Sequence, residues 1–247
     1  MKTPFEQVLT EVTAKLQHPL FSFKNSEKLV AALTDNIKET LQVGLNTHNQ
    51  ATLVVSGGST PIPLFNVLAG CNLNWANVNI TLADERWVDE NHADSNAQLV
   101  KTQLLQKKAS AARFIGLKTP AVDVDSGLNA CSSALKKLPQ PFDVVILGMG
   151  NDGHTASLFP NTATLKEGLN PTTHKLCLSC QPTTARHQRI TLTYPLLSSA
   201  KQVILHIVGE DKLLTLQKAL AAEDPTDMPI RAFLKDPSIN FVVYWSP

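Results

Sequence analysis

Apolar residues return every fourth position at Leu29, Leu33, Ile37, Leu41 and Leu45, and polar residues predominate between them from Thr34 to Gln42. That spacing predicts a helix from Ser26 onward with one buried face. Short β-branched runs have the opposite character, being apolar throughout or alternating. They predict strands over 52–55, 78–82, 142–147, 175–180, 189–193, 203–208 and 239–244. Further helices are predicted over 61–68, with Thr60 as N-cap and Pro61 at the first helical position, and over 95–105, 126–138 and 212–221. The runs over 175–180 and 189–193 are close enough to pair as a hairpin. Strands alternating with helices imply a three-layer α/β sandwich, with a mostly parallel, Rossmann-like sheet and helices on both faces. No linker rich in Pro, Gly or Ser divides the chain, so residues 1–247 read as a single domain.

In such a sheet, ligands bind beyond the carboxyl ends of the strands. That rule singles out the exits at 56–60, 83–86, 148–154 and 209–212. The first reads Ser56-Gly57-Gly58-Ser59-Thr60-Pro61. Its glycines let backbone amides approach a ligand, and Ser59 and Thr60 add hydroxyls where a helix begins, a setting that favours an anion. It lacks the lysine of a P-loop, so a nucleoside triphosphate is not implied. An ordinary strand-to-helix turn fits this loop about as well. The second exit is the charged turn Asp84-Glu85-Arg86. Arg86 could clamp a phosphate by its planar fork, and Asp84 could orient a base or bind a sugar hydroxyl. A solvated turn with a local ion pair is the plainer reading of such a triplet.

The third exit, Gly148-Met149-Gly150-Asn151-Asp152-Gly153-His154, superficially matches a dinucleotide fingerprint. The acid that would hold a ribose about 20 residues further on is missing, and His154 stands where the helix would begin packing, which argues against a nicotinamide cofactor. Asp152 and His154 instead place a carboxylate and an imidazole at the mouth of the sheet. An imidazole suits general-base work near neutral pH. Arg189 and Lys212 are further cations that gain meaning only if they converge with Arg86 on one anion.

Composition narrows the classes. The chain has 22 Lys plus Arg against 21 Asp plus Glu, a formal net charge of +1, so nothing overall favours nucleic acid or an anionic membrane. Glu6, Glu11 and Lys15 interrupt the first twenty residues, and the longest apolar runs suit buried strands, so the expected location is the cytosol. Four scattered cysteines do not make a disulfide framework. Cys177 and Cys180 form a C-x-x-C inside a predicted strand, where residues three apart face opposite sides. His174 and His187 lie nearby but complete no recognised zinc finger, so packing is favoured over metal or redox chemistry. No metal site is expected.

Taken together, the loop 56–61, Asp84-Glu85-Arg86-Trp87, Asp94-Ser95-Asn96 and the long block over 148–160 (GMGNDGHTASLFP) resemble the glucosamine-6-phosphate isomerase/6-phosphogluconolactonase family. Arg189-Ile190-Thr191 and Gly209 with Lys212 fit the same family's later blocks. The deaminase branch has a similar D-G-H turn followed by an Asn-Glu pair, whereas this chain continues Thr155-Ala156-Ser157-Leu158-Phe159-Pro160. It also has Arg86 where the deaminases carry an aromatic residue. Both departures favour the lactonase branch.

The resemblance implies hydrolysis of 6-phospho-D-glucono-1,5-lactone to 6-phosphogluconate, in the oxidative pentose phosphate pathway, without metal or organic cofactor. A phosphosugar isomerase or deaminase, or a non-catalytic phosphosugar sensor, is the alternative. The lactonase resemblance makes His154 the base and Asp84 the group orienting the base or the sugar. Gly57, Gly58, Ser59, Thr60, Arg86, Asp152, Gly153, Arg189 and Lys212 are the expected substrate contacts. The partner is a small phosphosugar lactone, and a monomer is favoured.

Overall fold

The computed structural model describes residues 4–183 and 185–247. Its main sheet has seven strands, β1 (Leu20–Ser22), β2 (Ala51–Val55), β3 (Val78–Leu82), β5 (Arg113–Ile115), β6 (Val144–Leu147), β9 (Gln202–Val208) and β10 (Phe241–Ser246). They run parallel in the order β1-β10-β9-β6-β2-β3-β5. With helices on both faces, this is the expected three-layer α/β sandwich. Every residue of β2 and β6 is buried, which is why the central strands read as unbroken apolar runs.

The helix Ser26–His48 is capped by Asn25, whose side chain accepts from the Lys28 amide at 3.0 Å. It buries Leu29, Leu33, Ile37, Leu41 and Leu45 on the face that the spacing predicts. Each such side chain contributes about 2 kcal/mol of burial. Asn49 ends the helix in the left-handed region at φ 56°, with its amide bonded to the Leu45 carbonyl.

Three expectations change. A second sheet exists, of β4 (Asp84–Arg86), β8 (Arg189–Leu192) and β7 (Cys177–Cys180), all antiparallel. The predicted hairpin is its β7–β8 pair. Asp84-Glu85-Arg86 is therefore a strand, not a turn, because the exposed edge of β8 offers it a ladder. The Leu192 amide bonds to the Ala83 carbonyl at 2.9 Å, and the Trp87 amide to the Gln188 carbonyl at 2.7 Å. Thr60 does not cap the following helix, which spans Ile62–Leu68 with Pro61 at its cap and no side-chain cap bond.

From Pro4 the N-terminal segment forms a helix, Pro4–Lys15, that packs against the helix Glu210–Leu220. The first three residues of the stretch considered as a leader lie outside the described residues. No helix among the described residues is long and apolar enough to cross a membrane.

Candidate active site

The chain steps outward from β2 through β3 to β5, then returns to β6 on the other side of β2. The switch of direction lies between β2 and β6, and the crevice expected at such a point is present. Pairing between these strands stops at Val54 and Val145, and beyond it the Ser56 hydroxyl reaches across to the Ile146 carbonyl at 2.9 Å. A cleft of about 230 Å³ opens there. Gly57, Gly58, Thr60, Asp84, Arg86, His154, Arg189 and Lys212 all line it. Ser59, Asp152 and Gly153 do not. Ser59 offers its carbonyl to the Ile62 amide in a turn, and Gly153 lies against Met228, where a Cβ would come within 2.7 Å.

His154 is set by a tight turn. The Gly150 amide bonds to the His154 carbonyl at 2.9 Å, and the Gly153 amide to the Gly150 carbonyl at 3.0 Å. The imidazole folds back over Gly150, where a Cβ would stand 2.2 Å from the ring, so a side chain at this position would push the imidazole out of place. The Ile230 amide braces the turn from outside through the Gly153 carbonyl.

Asp152, rather than Asp84, pairs with His154: its Oδ1 lies 2.5 Å from His154 Nδ1. Burial would raise the Asp152 carboxyl, but the hydrogen bond and charge of His154 outweigh it and hold it below the usual carboxylate range. With the Nδ1 proton directed to Asp152, the lone pair of Nε2 is available for a proton.

Asp84 is engaged elsewhere. It accepts from the Ser157 hydroxyl at 2.5 Å, and Arg189 Nη1 lies 3.8 Å from the same carboxylate oxygen, Oδ2. Arg189 and Arg86 are directly opposed across β8 and β4. Burial, and then the neighbouring Arg86, depress the Arg189 pKa, and Asp84 opposes them. The Nε donors of both guanidiniums are buried without a partner among the described residues.

Four residues with no assigned role in the sequence reading shape this site. The Glu85 carboxylate is buried and accepts from the Arg86, Asn96 and Ala97 amides at 2.7–2.8 Å, capping the helix Asn96–Gln103. Burial pushes its pKa up against those three donors. Asn96 in turn occupies the space a Cβ on Gly57 would need. Asn151 accepts a hydrogen bond from Lys212. Phe159 stacks on His154 with ring centres 4.0 Å apart, and the Arg189 guanidinium carbon lies 5.4 Å from the same ring's centre. Imidazole and guanidinium thus share one aromatic support. Asn151 and Phe159 fall inside the block over 148–160, and that membership is the only signal the sequence offers. Glu85 and Asn96 likewise stand in the blocks 84–87 and 94–96, but that membership does not disclose the amides Glu85 binds, which lie eleven and twelve residues further on.

Cys177 and Cys180 are both buried on β7, and the cysteines are free. Cys177 Sγ lies 3.4 Å from the Ser132 hydroxyl, against the helix Val124–Leu135, in keeping with a packing role.

His206 forms part of the cleft floor. It is buried, its Nε2 lacks a partner, and burial lowers its pKa to about 4. The unfolded chain protonates this imidazole below pH about 6.5 while the folded chain does not until about pH 4. Stability is therefore expected to fall as pH drops through that window, by roughly 3 kcal/mol from this group. Urea titrations at pH 7 and pH 4.5 check this. The slope should shrink in His206→Asn, and an equal slope in both proteins would rule His206 out as its source.

An open α/β protein with a carboxylate-paired imidazole at the sheet's switch point and clustered cations beside it has the arrangement found in enzymes that handle small anionic substrates. The chain is a member of the family described as glucosamine-6-phosphate isomerases/6-phosphogluconolactonase, which matches residues 24–243. A 6-phosphogluconolactonase of Pseudomonas putida is 44% identical over 223 residues, 90% of each chain. One from Pseudomonas aeruginosa is 45% identical over 207 residues, 84% of this chain and 86% of that one. The crystal structure of a 6-phosphogluconolactonase from Shewanella baltica superposes with a TM-score of 0.91 at 44% identity, covering 93% of this chain and 98% of that one. The resemblance read from the sequence blocks is borne out.

Proposed function

We propose that this cleft hydrolyses 6-phospho-D-glucono-1,5-lactone to 6-phosphogluconate, the reaction that the similar proteins' name denotes. One observation carries the reading. A single cleft holds an Asp152-oriented imidazole together with two guanidiniums whose buried Nε donors have no partner among the described residues. The first is the equipment of a general base, and the second that of an anion site.

A lactone carbonyl is already electrophilic, so an activated water can attack it without a covalent enzyme intermediate. His154 Nε2 takes the water's proton, and Asp152 stabilises the imidazolium that forms. The same imidazolium then delivers the proton to the ring oxygen as the tetrahedral intermediate collapses. Amides of the glycine-rich loops are the donors available to the developing oxyanion. Arg86, Arg189 and Lys212 hold the phosphate, and that grip orients the distant carbonyl toward His154. Asp84, tied to Ser157 and Arg189, serves by setting the guanidinium.

The test is a lactonase assay with substrate generated in situ and measured against spontaneous hydrolysis. Hydrolysis above that background is expected, and a rate equal to it would overturn the proposal. The reaction asks for no metal, so enzyme treated with EDTA should keep its turnover. Inactivation reversed by one particular divalent ion would overturn that part.

A further inference from the structure

Two histidines and a carboxylate that the proposed reaction does not use meet at one spot on the protein. His92 and Asp94 lie in the connection between β4 and the helix Asn96–Gln103, and His187 lies just before β8. Because β4 and β8 are paired, these connections are brought side by side although they are 93 residues apart in the chain. His187 Nε2 stands 3.0 Å from Asp94 Oδ2, and His92 Nδ1 stands 3.9 Å from the same oxygen. The two imidazole rings face each other edge to face, 5.5 Å between centres. One ligand atom from each residue lies within 4.8 Å of the other two.

A tetrahedral zinc ion with bonds of about 2.0–2.2 Å to nitrogen and oxygen sets its ligand atoms roughly 3.4 Å apart. The two separations to Asp94, 3.0 and 3.9 Å, bracket that value. His92, whose Nδ1 accepts from the Asp94 amide at 3.0 Å and would exchange that bond for the ion, and Asp94 are exposed enough to adjust their rotamers. Two imidazoles with one carboxylate suit zinc, nickel, copper or cobalt. Magnesium and calcium take oxygen ligands and find only one side-chain carboxylate here. We propose that His92, Asp94 and His187 form a binding site for a divalent transition-metal ion of the zinc class, with water completing the coordination.

The site is separate from the base, but it adjoins the anion-binding residues. The Asp94 carbonyl accepts a hydrogen bond from Arg86 Nη1 at 2.6 Å, and His187 precedes Arg189 by two residues. A metal ion here pins the two segments that carry these guanidiniums. This consequence rests on the proposed phosphate site: an occupied triad changes KM for a phosphorylated lactone and leaves kcat unchanged. Metal binding itself is independent of that reading.

The experiment is calorimetric titration of the untagged full chain with zinc, repeated with cobalt to follow the visible spectrum of the bound ion. One ion per chain is expected, at micromolar affinity or tighter, with no competition from excess magnesium. Losing a ligand should cost at least the roughly 10–100-fold that loss of an outer-shell partner costs. His92→Ala and His187→Ala should each show that loss, and the double variant should abolish binding. Both changes are in connecting loops, and an unchanged thermal melt in EDTA establishes that each variant is folded. Absence of stoichiometric zinc binding to the wild type would overturn the proposal. So would zinc binding of unchanged affinity in the double variant, which would place the ion elsewhere, for instance on a cysteine. Neither result bears on whether the cleft is a lactonase.

Discussion

His154→Ala is expected to lower kcat for the phosphorylated lactone by about 10²–10⁴-fold, the range typical of losing a general acid–base group. The side chain is partly exposed, and its backbone bonds to Gly150 do not depend on the ring, so the turn should survive. The cations that hold the phosphate are untouched, so KM should change little. Asp152→Asn provides the second half of the argument. It leaves a ring of the same size in the same turn but removes the carboxylate that fixes the Nδ1 proton. The imidazole can then present the wrong nitrogen, and kcat should fall while KM stays. Steady-state kinetics on both variants, with circular dichroism to establish folding, checks the pair. Near-normal kcat in folded His154→Ala would remove this residue from the chemistry.

Arg189→Ala should instead act on binding. A hydrogen bond to a charged group contributes about 1.5–3 kcal/mol, so 6-phosphogluconate should bind roughly 10–100-fold more weakly. Unphosphorylated gluconolactone cannot use that contact and should lose far less. Some loss is expected even there, because Arg189 and His154 share the Phe159 ring and Asp84 is left without its ion-pair partner. His154→Ala should damage turnover of both lactones. The two variants therefore predict contrasting patterns of discrimination between phosphorylated and plain substrate, provided the wild type turns over the plain lactone measurably. Equal impairment of both substrates by Arg189→Ala would make its role structural or catalytic, and the phosphate cluster would be wrong at that position.

The sequence was legible where one physical signal dominated. The four-residue spacing at Leu29–Leu45 and the apolar runs of β2, β6 and β9 reflect burial that nothing else in the chain contradicts. The rule for parallel strand ends then picked out residues from Gly57 to Lys212 that do line one cleft. The partner of His154 was not legible. Asp84 and Asp152 both follow strands, and only the closed turn around Gly150 brings Asp152 to the ring. The strand nature of Asp84–Arg86 was hidden because its ladder partner is about a hundred residues away and its side chains carry charge. At three residues each, β1 and β5 are too short for alternation to register.

The opposition of Arg86 and Arg189 across β4 and β8 has a thermodynamic side. Like charges directly opposite each other weaken an antiparallel pair, and here the weakened pair is what attaches the three-residue β4 to its sheet. An anion lodged between the two guanidiniums converts their repulsion into a shared attraction. The unfolded chain has no such pair, so binding is linked to folding, and phosphate at a hundred times its Kd adds about 2.7 kcal/mol to stability. Melting temperature measured in phosphate against chloride at matched ionic strength is thus a readout of this strand pair. On the proposed phosphate site, the segment that would grip the ligand is also the one whose attachment the ligand would reinforce.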